Sequence, residues 1–136
     1  MNYSTFETEL TVRPDDIDMN NHVHFSRYLD YVLAARYDQM ERCYKMSMDE
    51  FIALGYSWVV SSCTVQYKRP LTLGDTIIVR TRIDGVGGHE ASVRFEIVKK
   101  DSGKLSAEGR FEYSLIDSKT GRALEIPPMI IEKYSI

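Results

Sequence analysis

The segment Asp15-Asp16-Ile17-Asp18-Met19-Asn20-Asn21-His22-Val23-His24 crowds acidic, amide and imidazole side chains into one short stretch. A carboxylate can attack a carbonyl carbon or draw a proton from water, and backbone N–H groups at a helix start can hold the oxyanion that forms. Hydrolysis of an ester or thioester needs little more. Asp16, Asp18, His22 and His24 also form a D-x-D…H-x-H set of oxygen and nitrogen donors that a metal ion could use. Residues i and i+2 share a side only in extended chain, so all four would converge only in a special loop. A third reading makes the segment a solvated connector whose Asp and Asn side chains form turns and caps.

Flanking patterns supply the elements that would hold this segment. Phe6, Thr8, Leu10 and Val12 alternate with polar residues, the mark of a strand with one wet face, and Pro14 stops it. After the segment, Phe25, Tyr28, Leu29, Val32, Leu33, Met40 and Cys43 recur at helical spacing, which predicts one helix of about 20 residues. Asn20 or Asn21 is expected to cap it. Arg36 interrupts the apolar stripe; its stem is expected to lie buried with its head in water, the helix leaving the core near that point. A short helix over Met48 to Leu54 ends at Gly55.

The run Trp58 to Val65 is β-branched, apolar and free of charge, which predicts a central strand buried on both faces. Ser61, Ser62 and Cys63 within it are read as wall or core residues rather than nucleophiles. Alternation over 76–83, 91–97 and 105–115, separated by turns at Gly85 to Gly88 and Asp101 to Gly103, predicts three more strands. With the turn-like Leu71 to Asp75, the four long strands read as a meander of hairpins, followed by a short helix from about Pro128 to Tyr134. Arg80, Arg82 and Arg94 are read as a solvated sheet face, with a phosphate-bearing ligand as the alternative. His89 is read as a solvated turn residue. The fold class is α+β, a sheet wrapped round one long helix, with residues 1–136 forming a single domain.

Composition bounds the rest. Hydrophobic residues make up 43% and charged residues 27% of the 136, the mixture of a folded water-soluble domain. The formal charge of -3 leaves no basic surplus for nucleic acid. No stretch approaches the length of a membrane span or the pattern of a signal peptide, so a cytoplasmic location is expected. Cys43 and Cys63 are read as reduced thiols. Serine-hydrolase, P-loop, dinucleotide-binding and zinc-protease motifs are missing.

Two stretches carry a resemblance. Val12-Arg13-Pro14-Asp15-Asp16-Ile17-Asp18-Met19-Asn20-Asn21-His22-Val23, followed by Tyr28-Leu29, is similar to the D-x-D-x-x-x-H-V and Y-L pattern of the hotdog-fold acyl-CoA thioesterases, the 4-hydroxybenzoyl-CoA thioesterase-like family. Tyr67-Lys68-Arg69-Pro70-Leu71-Thr72-Leu73-Gly74-Asp75 resembles that family's Y-x-x-P-L-x-x-G-D link. The resemblance spans nearly the whole chain. It implies a hotdog fold with a central helix wrapped by a five- or six-stranded antiparallel sheet, assembled as a homodimer or homotetramer with active sites at the dimer interface. It also implies hydrolysis of an acyl-CoA, or an acyl carrier protein thioester, without metal or organic cofactor.

Carried over by position, Asp18 is the catalytic carboxylate, acting as nucleophile or general base, a choice the resemblance leaves open. N–H groups at the helix start form the oxyanion hole. His22, Val23, His24, Phe25 and Tyr28 border the substrate. The chain departs from the family in having Asn21 where relatives have Gly, and His24 and Phe25 where relatives have a polar pair. A non-catalytic acyl-thioester binding module of the same fold is the alternative.

Overall fold

The computed structural model describes residues 3–136; Met1 and Asn2, the start of the polar N-terminal stretch, lie outside the described residues. Strand β1 (Thr5–Thr11) leads through a 3₁₀ turn (Pro14–Asp16) and the polar segment to a second 3₁₀ turn (Phe25–Arg27) and helix α1 (Tyr28–Arg42). Helix α2 (Met48–Ala53) precedes four strands, β2 (Tyr56–Tyr67), β3 (Thr76–Gly87), β4 (Glu90–Lys99) and β5 (Leu105–Asp117), and α3 (Pro128–Tyr134) closes the chain. The five strands form one antiparallel sheet in the order β1-β3-β4-β5-β2. This is the hotdog architecture, with α1 as its central helix. No helix among the described residues is long and apolar enough to cross a membrane.

Helix α1 is shorter than its apolar periodicity predicts, because Phe25 to Arg27 form a 3₁₀ turn instead of its first turn. Neither Asn20 nor Asn21 caps it: the His24 side chain accepts from the Ser26 N–H at the start of the 3₁₀ turn. The helix buries Tyr28, Tyr31, Val32 and Ala35 against Ile77, Val79, Phe95 and Phe111 of the sheet. Each large apolar side chain so covered contributes roughly 1.5–3 kcal/mol. Leu33, read as part of the stripe, is instead exposed. Arg36 reverses the opposite way and lies buried, head included, so the helix stays in the core well past it.

Two further expectations change. β2 is an edge strand, bonded to β5 alone, and its middle from Val59 to Ser62 is exposed. The chain after β2 does not turn back in a hairpin: β3 pairs with β1 and β4, at the far side of the sheet. The link crosses the start of α1 and is tied down there. Leu71, fully buried, donates its N–H to the Tyr28 hydroxyl at 3.0 Å and accepts from the Val23 N–H at 2.8 Å. Gly74, at φ +86°, lets Asp75 fold back to accept from the Thr72 N–H at 2.8 Å. The Asp75 carbonyl then accepts from the Val12 N–H, where β1 ends.

Candidate active site

The polar segment is a small hairpin. Ile17 and Val23 pair as an antiparallel bridge, and the chain reverses through Met19, Asn20 and Asn21. Asn21 sits at φ 59°, a left-handed turn position that asparagine tolerates nearly as glycine does. Asp18 stands at the mouth of this hairpin. Its Oδ1 accepts from the backbone N–H of Asn20 at 2.8 Å and of His22 at 3.1 Å, which leaves Oδ2 free. Those two donors, with His22 and His24 nearby, hold the carboxyl below its ordinary range, so it is an anion at neutral pH.

Asp16 goes elsewhere although only two positions separate it from Asp18. It closes the Pro14–Asp16 turn and points inward, 3% exposed, where Oδ2 accepts from the Tyr31 hydroxyl at 2.6 Å and from Arg13 Nε at 3.0 Å. Burial works against its charge, but the Tyr31 hydroxyl and Arg13, helped by Arg27, outweigh burial and lower its pKa. The pair therefore diverges: Asp16 anchors the segment to α1 and Asp18 faces outward. Among the described residues no three His, Cys, Asp or Glu side chains converge as a metal site, the D-x-D…H-x-H set included.

Val23 and Tyr28 are buried and serve the clamp at Leu71. His22, His24 and Phe25 are exposed, with the His24 and Phe25 rings stacked at 4.7 Å. The Phe25 carbonyl accepts from the Tyr67 hydroxyl at 2.8 Å, so the last residue of β2 steadies the turn in which α1 begins. Sequence reading missed that contact, and the spacing of Tyr67 before Pro70 was its only trace. The Phe25 N–H opens this turn without a hydrogen-bond partner among the described residues, the state an oxyanion donor requires.

Elsewhere, Ser61 and Ser62 are exposed on the edge strand, and Ser61 donates to the Glu112 carbonyl. Burial raises the Cys63 thiol above its ordinary value, which makes it a poor nucleophile. Arg80 pairs with Glu7 at 2.6 Å, Arg94 meets Asp84 at 3.3 Å, and Arg82 lies opposite Arg94 in register on the outer face of the sheet. The part of the molecule least visible in sequence is a cavity of about 200 Å³ between the second half of α1 and β2, β4, β5 and α3. Arg36, Met40, Trp58, Tyr113 and Tyr134 line it, and the exposed Leu33, Tyr37 and Val60 form its rim.

Comparison with known proteins agrees with this fold. The Thioesterase-like superfamily model matches residues 12–134. The chain is 27% identical to the long-chain acyl-CoA thioesterase FadM of Escherichia coli over 93% of its own length and 95% of that protein. Among solved structures, a hypothetical protein TT1821 from Thermus thermophilus superposes with a TM-score of 0.87 at 28% identity, covering 95% of this chain and 96% of that one. The probable thioesterase YbaW from Escherichia coli does so with a TM-score of 0.81 at 27% identity, over 93% and 94%. A match of that extent means that the chain belongs to the thioesterase-like superfamily.

Proposed function

We propose that this protein hydrolyses acyl-CoA thioesters to the free acid and CoA, with Asp18 as the reacting carboxylate. The observation that carries the reading is the state of Asp18: one oxygen fixed by two backbone N–H groups, the other free, and the charge kept at neutral pH. Attack by Oδ2 on the thioester carbon would expel the CoA thiolate and leave a mixed anhydride for water to open. Activation of water by the same oxygen would reach the same products. In either route the Phe25 N–H, at the turn braced by Tyr67, would hold the developing oxyanion. His22 and the stacked His24 and Phe25 would border the thioester. The thioester carbonyl is activated already, so neither route calls for a metal or an organic cofactor. FadM, a long-chain acyl-CoA thioesterase, supports CoA as the thiol partner.

The working unit in this reading is a homodimer formed by β2. Its outer edge carries unpaired backbone groups beside Val59, Val60, Ser61 and Ser62, all exposed and none charged. Natural edges that remain in water are guarded by charge or proline. Two copies paired antiparallel about the middle of that run would bring the Trp58 end of one strand beside the partner's Tyr67 end. The cavity of one protomer would then lie next to the Asp18 hairpin of its neighbour. The free thiols Cys43 and Cys63 fit a reducing cytoplasm.

Substitution of Asp18 tests the chemistry. Asp18→Asn retains a side-chain oxygen for the Asn20 and His22 N–H groups, so the hairpin is preserved while the anion is lost. Hydrolysis of acyl-CoA, followed as free thiol, should fall by at least about a hundredfold, the scale of a lost base or nucleophile. Full activity in that variant would remove Asp18 from the reaction. Wild-type protein that binds acyl-CoA and never releases thiol would make this a binding module.

A further inference from the structure

Arg36 is the one charged side chain on the buried face of α1, and nothing balances it. It is 7% exposed, forms no salt bridge among the described residues, and its Nη1 is buried without a hydrogen-bond partner. Its guanidinium lies over the Tyr44 ring, 5.5 Å from the centroid. A cation in contact with an aromatic face gains some attraction, far less than the loss of water costs it. Tyr44, Tyr113 and Tyr134 are the titratable groups that feel its charge, and burial raises all three, Tyr134 to about 12. None of these phenols is an anion at neutral pH, so no counter-charge comes from the protein.

Three buried polar atoms at this place lack a partner among the described residues: Arg36 Nη1 and Trp58 Nε1, which can only donate, and the Tyr44 hydroxyl, which can donate or accept. Trp58 Nε1, which shares the cavity wall with Arg36, is also buried without a partner. Trp58 stacks on Tyr134 at 6.2 Å and meets Tyr113 edge-on at 6.3 Å, so both unmet donors sit in an aromatic cage. Buried donors left open are costly, more so when charged, and a ligand that completes them removes that cost. The complement of a fixed cation and an indole N–H is an anionic acceptor with two oxygens, which is a carboxylate. The remaining wall, Met40, Met48, Ala91 and Tyr113 with the rim at Leu33, Tyr37 and Val60, suits a hydrocarbon chain.

We propose that the Arg36 cavity receives the far end of the acyl chain and selects chains that end in a carboxylate, so that the preferred substrates are ω-carboxyacyl thioesters. This rests on the thioesterase reading above. The thioester would lie outside the rim, toward the partner's Asp18 hairpin, and water would cleave the C–S bond to give a dicarboxylic acid and CoA thiol.

The test compares suberoyl-CoA with octanoyl-CoA, equal in chain length and different in the terminal carboxylate. Wild-type kcat/KM should favour suberoyl-CoA by at least about thirtyfold, the scale of a desolvated, hydrogen-bonded charge pair. Arg36→Met should erase or reverse that preference by lowering the suberoyl rate, and Arg36→Lys should keep part of it. Arg36→Met should also raise the melting temperature of the ligand-free protein, since it removes an uncompensated buried charge; a merely structural arginine would lower it. Trp58 is the only tryptophan, so its fluorescence gives a second readout: free octanoate should change it saturably in wild type and not in Arg36→Met. Equal hydrolysis of both esters, unmoved by Arg36→Met, overturns the proposal and leaves the thioesterase reading standing. If neither ester is hydrolysed, the thioesterase reading fails, and the octanoate titration decides the carboxylate site: an Arg36-dependent signal supports it, and no signal overturns it.

Discussion

Asp16 and Asp18 show how far two identical side chains can be driven apart by the backbone between them. Asp16 ends a 3₁₀ turn and is pulled inward by the Tyr31 hydroxyl, whereas Asp18 lies past the turn and is held by its own hairpin. The D-x-D spacing marks both, and which one keeps a free oxygen is decided by contacts with α1 that lie far away in sequence. The lowered pKa of Asp18 has a consequence for activity. The anion is the competent form, and its folded pKa lies below the ordinary value of 3.8. As pH falls, kcat/KM should therefore stay level down to about 4 and decline only below that. An acyl-N-acetylcysteamine thioester is the suitable substrate, because it carries no phosphate to titrate in the same range. An acid limb centred well above pH 4 would take the reaction away from Asp18.

At the scale of elements, β1, β3, β4, β5 and α3 lie where alternation and turn residues predict them, because each has one wet face and so writes its period into the sequence. β2 was legible as a strand but not as an edge. Val59, Val60, Ser61 and Ser62 lack charge, and a chargeless run has the same composition whether the chain or a second subunit covers it. Arg36 was misread for a related reason: helical spacing locates a residue on a face and says nothing about whether a partner awaits its charge. Gln39, also fully buried, is held by Thr8 and Thr81, which no local pattern announces. Pairing of β2 with β5 depends on one glycine. A Cβ on Gly109 would overlap the Thr64 carbonyl oxygen and come within 2.8 Å of the Phe95 ring. Backbone on one side and a buried ring on the other leave no room to yield. Gly109→Ala should destabilise the protein by about 3 kcal/mol, read as a lower urea midpoint, and should loosen β2, the element that carries Tyr67.

The whole molecule brings these two features together, since the Asp18 hairpin lies at the start of α1 and Arg36, behind the cavity rim at Leu33, lies about two helical turns further along it. In the proposed dimer, antiparallel pairing of two β2 edges would set one protomer's cavity beside its partner's hairpin, so that the acyl group would cross between subunits. Assembly and catalysis should then fail together. Ser62→Lys puts a charge on the exposed run, where two-fold pairing brings two such charges onto the same short stretch of the joined edges, and the like charges oppose pairing. Ser62 faces solvent and touches neither Asp18 nor the cavity lining, so the protomer should fold normally. Sedimentation velocity should show a monomer at concentrations where wild type is a dimer. Hydrolysis per subunit should drop at least about tenfold in dilute solution and recover as protein concentration rises, since mass action restores the pair. A variant that sediments as a monomer yet turns over at the wild-type rate at every concentration would confine the whole site to one chain. The acyl group would then have to run along α1 from the Phe25 turn to the cavity rim at Leu33 rather than cross between subunits.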